Sequence, residues 1–120
     1  MGAYLVIAEC KAVGRSIGYD RGNPEAIKYR QTNVVEKALA EADEKAKWIA
    51  KHPVGTNYDI SQYKGIVPVG ISPFVEWIPS LDSHFWLRDG VPRVMTPHEF
   101  GDLLSKNDVI DNAYNRVMIS

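Results

Sequence analysis

A single cysteine, Cys10, stands in a chain of 120 residues. It excludes an internal disulfide framework and fits a reducing compartment. No apolar stretch approaches the roughly 18 residues that a membrane-spanning helix needs. The N-terminus carries no basic segment followed by an apolar one, so no secretory leader is expected and the cytoplasm is the expected location. Charge of one sign is lacking too. Fourteen Lys and Arg against fifteen Asp and Glu give a formal net charge of −1, with no overall electrostatic footprint for nucleic acid. The three histidines, His52, His84 and His98, are far apart, and none stands in a ligand spacing with Cys10. That argues against zinc. Gly14, Gly18 and Gly22 match neither a dinucleotide fingerprint nor a Walker loop. No internal repeat or low-complexity segment is present.

What is present is ordinary globular composition, 45% apolar and 24% charged. The length suits one domain, residues 1–120, with a sizeable core. Tyr4-Leu5-Val6-Ile7-Ala8 is an unbroken apolar run that reads as a strand buried on both faces. It runs straight into Glu9-Cys10-Lys11. Alternation puts Glu9 and Lys11 on one face and Cys10 on the other. An acid and an amine at the end of a buried strand need a partner, a ligand or a cleft. Cys10 itself reads as a buried, inert residue.

From Cys10 to Gln31 five basic residues (Lys11, Arg15, Arg21, Lys28, Arg30) meet two acids (Asp20, Glu25). This local excess is either a phosphate-contacting patch or a solvated loop. Residues 12–23 read as a glycine-containing loop, long enough to close over a site. Asn23-Pro24 and Asn33-Val34-Val35-Glu36 are both helix starts. Either one long helix begins near Pro24 or a turn precedes a helix from Val34, and His52-Pro53 ends it. Ile27, Gln31, Val34, Val35, Ala38, Leu39, Ala42, Ala46 and Ile49 form its core stripe. Ala38, Ala42 and Ala46 would let it lie close on a sheet.

Residues 54–64 read as a connection. Gly65–Ser72 is a second strand, placed at an edge or bulged by Pro68, which lacks a donor. A short strand is possible over 74–78. Residues 84–88 and 91–95 flank Asp89-Gly90 as a hairpin. Thr96-Pro97-His98-Glu99 opens a short helix with a capping box, and the tail from Val109 is a further helix or a docked arm. Phe85, Trp86 and Trp77 could stack on bases, or fill the core.

Glu9-Cys10-Lys11 at a strand exit, Ala38-Leu39 in a long helix, Gly65-Ile66-Val67 in a later strand and Ser72-Pro73-Phe74 at its exit resemble the PD-(D/E)XK, or restriction-endonuclease-like, nuclease superfamily. The resemblance covers roughly residues 3–105, and the acid-x-Lys alone carries catalytic information. Asp43-Glu44-Lys45 repeats that spacing within the helical stretch. The fold implied is α/β, a central mixed sheet flanked by helices, with its N-terminal part lacking. The family takes another acid from the preceding strand, and only eight residues precede Glu9.

The activity implied is Mg²⁺- or Mn²⁺-dependent hydrolysis of DNA phosphodiesters. Glu9 and the Cys10 carbonyl would hold the metal, and Lys11 would act on the attacking water and the phosphate. Arg15, Arg21, Lys28 and Arg30 would contact the DNA backbone. Gln31 either approaches the metal, as in one branch of the family, or is a capped glutamine of the first helical turn. With its second acid missing, the chain is expected to cleave little by itself, unless Asp20 or Glu76 substitutes. A homodimer or higher oligomer is expected, with a strand or the C-terminal arm crossing between chains, or else a missing N-terminal segment or subunit. The other class of function is a non-catalytic nucleic-acid-binding or subunit-interaction module.

Overall fold

The computed structural model describes residues 3–11, 17–76, 78 and 80–119. Arg15 and Trp77 lie outside these residues. The first strand, β1 (Tyr4–Cys10), leads to a short helix, α1 (Ile17–Asp20), where sequence alone indicates a loop. Asn23 then caps α2 (Pro24–Arg30), its Oδ1 accepting from the backbone N–H groups of Glu25 and Ala26 at 2.9 and 3.2 Å. Helix α2 runs without a break into a π-helical segment, Gln31–Glu36, and on into α3 (Lys37–Lys51). The run is therefore one long helix. Asn33 does not start a new one; its amide donates back to the Tyr29 carbonyl at 3.0 Å, inside the helix.

Strand β2 (Gly65–Ile71) is the centre of the sheet. β1 pairs with it in parallel along its whole length, from Tyr4 opposite Gly65 to Cys10 opposite Ile71. The other edge of β2 is shared. β5 (Val94–Met95) runs parallel to its C-terminal end, and β6 (Val117–Met118) runs antiparallel to its N-terminal end. Pro68 falls in the gap between these two short strands. It therefore sits in a central strand, not at an edge, because no neighbour asks for its missing N–H.

A side chain fills that gap. Arg93 is fully buried, and its guanidinium donates to the Pro68 carbonyl from Nε at 3.2 Å and Nη2 at 3.0 Å. It also donates to the His84 carbonyl at 2.9 Å and to Asp43 of α3. The hairpin β3 (Trp86–Arg88) and β4 (Val91–Pro92) turns at Asp89-Gly90, with Gly90 at φ +80°. Arg93 separates it from β5, so residues 91–95 serve two sheets and not one.

One face of the sheet carries α3. Ala46 and Ala50 pack on Ile66 with Leu5 and Ile7 beside them, while Val35 and Leu39 pack on Val94 and Phe85. Ala38, Ala42 and Ala46 are all buried, and a Cβ at Gly70 would lie 3.3 Å from that of Ala38. The small residues do bring helix and sheet close. The opposite face, Val67 and Val69 with Tyr4, Val6 and Ala8, is covered by Leu87 and by residues of α4 (Pro97–Leu104) and α5 (Asn107–Asp111). The capping box of α4 is formed in both directions, Thr96 Oγ1 to Glu99 N and Glu99 Oε1 to Thr96 N. The C-terminal arm docks on its own chain as β6, and residues 74–76 are not a strand. Among the described residues no helix is long and apolar enough to cross a membrane.

β1 departs from its expected burial. Tyr4 to Glu9 are all half-buried and Cys10 is exposed, because β1 is an edge strand. The free, buried cysteine expected from sequence is thus a surface thiol.

Candidate active site at the end of the first strand

Glu9 and Lys11 leave β1 on the α3 side, but they do not pair with each other. Glu9 Oε2 accepts from Lys45 Nζ at 2.5 Å, and Lys11 Nζ donates to Glu41 Oε2 at 2.7 Å. The spacings explain the match. Two residues along a strand advance about 6.6 Å, and four along a helix about 6 Å. Glu41 and Lys45, one turn apart on α3, therefore face Glu9 and Lys11 in crosswise order. Here lies a correction to the expected Glu9–Lys11 pair, and both new members come from the helix.

The Lys11 ammonium, and after it a hydrogen bond with the Glu9 carboxyl, hold Glu41 below its ordinary carboxylate range. Glu9 in turn raises Lys45 above the ordinary lysine value. Glu9 is 14% exposed and Lys45 57%, so the acid is fixed and the lysine stem is the movable partner. A cleft of about 510 Å³ opens beside this quartet, lined by Ile7, Glu41, Glu44, Lys45, Trp48 and Ile49.

Other expected site residues are placed elsewhere. Arg30 is 4% exposed and is a core residue. Its guanidinium grips Glu76 in a two-pronged pair, 2.6 and 2.7 Å, and Ser72 Oγ donates to the same carboxylate at 2.6 Å. Arg30 therefore cannot serve as a backbone-phosphate contact, and Glu76 cannot serve as the substitute acid. Each neutralises the other, as burial of a charge requires. Arg21, Lys28 and Asp20 are exposed. Gln31 is half-buried at the start of the π segment, one residue past the buried Arg30. The polar member of the buried stripe is thus Arg30 and not Gln31.

Among the described residues no group of three or more His, Cys, Asp and Glu converges as a ligand set. The donors at the quartet that could hold a hard cation are the Glu9 and Glu41 carboxylates and the Cys10 carbonyl. The last faces the open edge of β1, since Lys11 N–H bonds Ile71 and alternation turns the even-numbered residues outward. Oxygen donors of this kind, few and partly hydrated, suit Mg²⁺. No family model, curated protein or solved structure matches the chain. What stands without further comparison is a compact α/β fold with a mixed sheet and a charged quartet beside a cleft.

Proposed function

We propose that the chain carries a metal-dependent phosphodiester hydrolase centre of the nuclease type, with DNA as substrate. The observation that carries this reading is the crosswise pairing at the end of β1, which sets Glu41 of α3 against Lys11 and Glu9 against Lys45. It supplies from α3 the second acid that the acid-x-Lys strand lacks. Ligands of open α/β sheets gather outside the carboxyl ends of the parallel strands, and the quartet stands there.

Glu9, Glu41 and the Cys10 carbonyl would hold Mg²⁺ or Mn²⁺, with Lys45 swinging aside. When bound, the ion would polarise a phosphoryl oxygen and acidify a water. Lys11 keeps its ammonium beside the Glu41 carboxylate and offers charge to the phosphate as negative charge grows there. Arg21 and Lys28, exposed on the same run of chain, would add sequence-independent backbone contacts.

A plasmid-nicking assay with Mg²⁺ or Mn²⁺ tests the proposal on the wild type, Lys11→Ala and Glu41→Gln. Cleavage by the wild type should fall at least about a hundredfold in each variant, the scale of a lost charge-stabilising group. Equal cleavage by all three, or none by any, refutes the reading.

A further inference from the structure

Among the described residues β1 has one unpaired edge. Its odd-numbered residues turn their N–H and C=O toward β2, so those of Tyr4, Val6, Ala8 and Cys10 face outward. Exposed edges are ordinarily guarded by proline, an inward-pointing charge or a bulge. The stretch from Tyr4 to Ala8 has none of these; its register with β2 is unbroken. Among the described residues a cleft lies beside that edge, under α3. The cleft there is floored by Ile7 and Ile49 and walled by Trp48, which is 56% exposed. A further strand beside β1 would place its side chains in this cleft.

We propose that the occupant is β1 of a second copy, paired antiparallel about a two-fold axis through Val6. A two-fold contact requires the strand to complement itself, and this one does. About Val6, Tyr4 meets Ala8, a large residue against a small one. Leu5 meets Ile7 on the α3 face, and Val6 meets Val6. The residues with outward backbone groups, Tyr4, Val6 and Ala8, then face one another as hydrogen-bonded pairs. Each Trp48 covers the Leu5 brought in opposite its own Ile7. Glu9 comes opposite only the small Ala3, at the margin of the paired stretch. Registers centred on Ile7 or Ala8 would set Glu9 against Leu5 or Ile7 and are disfavoured. The product is one continuous sheet across two copies, with both charged quartets on the same face and their Glu9 positions about 20 Å apart along the strands.

Val6→Pro tests the edge, because the N–H it removes faces outward and not toward β2, and proline is tolerated at such a position. Trp48→Lys tests the cleft from an exposed helical site that is outside the core. Light scattering with size exclusion should give twice the 13.5 kDa chain mass for the wild type. Each variant should weaken the dimer at least tenfold with its helical circular dichroism retained. If Val6→Pro does not fold, Trp48→Lys carries the test alone. A nitroxide on Cys10, the only cysteine, reports the register: the two Cys10 positions lie about four, six or eight residues apart along the strands for registers centred on Ala8, Ile7 and Val6, and the Val6-centred one sets the two Cα atoms about 26 Å apart. A monomer at about 100 μM, a dimer unaffected by Trp48→Lys, or a distance belonging to another register overturns the proposal. A monomer would assign the edge to an extended segment of a different protein.

Discussion

Replacing Arg93 with methionine would leave three acceptors without their donor. The Pro68 carbonyl stands where the sheet has no strand, the His84 carbonyl precedes the hairpin, and the Asp43 carboxylate projects from α3. Removing one member of a buried pair costs about 3–5 kcal/mol. Asp43 is 26% exposed, so water recovers part of its solvation and pulls the cost toward the lower end. Methionine keeps most of the packing, which leaves about 3 kcal/mol as the expected loss, a large share of the roughly 5–15 kcal/mol of a small domain. Urea unfolding followed by tryptophan fluorescence should show a midpoint lower by about 1 M or more at unchanged slope. Arg93→Lys keeps the charge but cannot span all three acceptors, since an ammonium lacks the planar fork. It should recover less than half of the loss. A full recovery by lysine, or a loss under about 1 kcal/mol in Arg93→Met, would show that the guanidinium does not substitute for a strand at Pro68.

Glu76→Gln leaves Arg30 buried without its counter-charge and should cost about 3–5 kcal/mol in the same titration, whereas the double change Arg30→Met, Glu76→Leu should lie closer to wild type. Salt dependence of DNA binding should not change in either variant that folds, because Arg30 does not reach solvent. Glu41, held low in the folded chain, contributes stability that is present above its unfolded value of about 4.5 and is lost as pH falls through its folded value. The stability difference between wild type and Glu41→Gln should therefore be larger at pH 7 than in acid, once the Glu41 carboxyl is protonated in the folded chain. A difference that grows on acidification would refute the pairing with Lys11.

Much of the architecture was legible from local chemistry. The apolar run of β1, the Asn23 and Thr96 caps, the Asp89-Gly90 turn and the alanine stripe each report a single dominant local preference, and each formed. Non-local matters were not legible. Pro68 signals an edge only if every neighbour is a strand, and no local pattern announces that an arginine takes a neighbour's place. Asn33-Val34-Val35-Glu36 has capping-box spacing, yet packing of Val34 and Val35 carried the helix straight through it. Half of the candidate site was hidden for the same reason. Glu41 and Lys45 read as solvated helix surface, and Lys45 even belongs to the Asp43-Glu44-Lys45 triplet whose spacing makes acid-x-Lys look commonplace. The available signal was their place one residue to the side of Ala42 and Ala46, on the flank of a helix that must lie against the strand holding Glu9 and Lys11. Arg30 failed in the opposite sense. A basic residue in a basic stretch suggests a surface, and only the distant Glu76 reveals it as core.

The π segment gives the long helix a consequence of phase. A π turn takes roughly one residue more than an α turn, and one residue of α-helix is worth about 100° of rotation. The helix is in effect two screws cut on one shaft with their threads offset. The C-terminal thread presents alanines to the sheet, and the N-terminal thread presents Arg30 to Ser72 and Glu76. Because both threads share an axis, the loop that leaves β2 is indexed to the same shaft that holds Glu41 and Lys45 against β1. The ends of the two parallel strands are thus referenced to a single rigid part, and an error in one is not free to accumulate independently of the other.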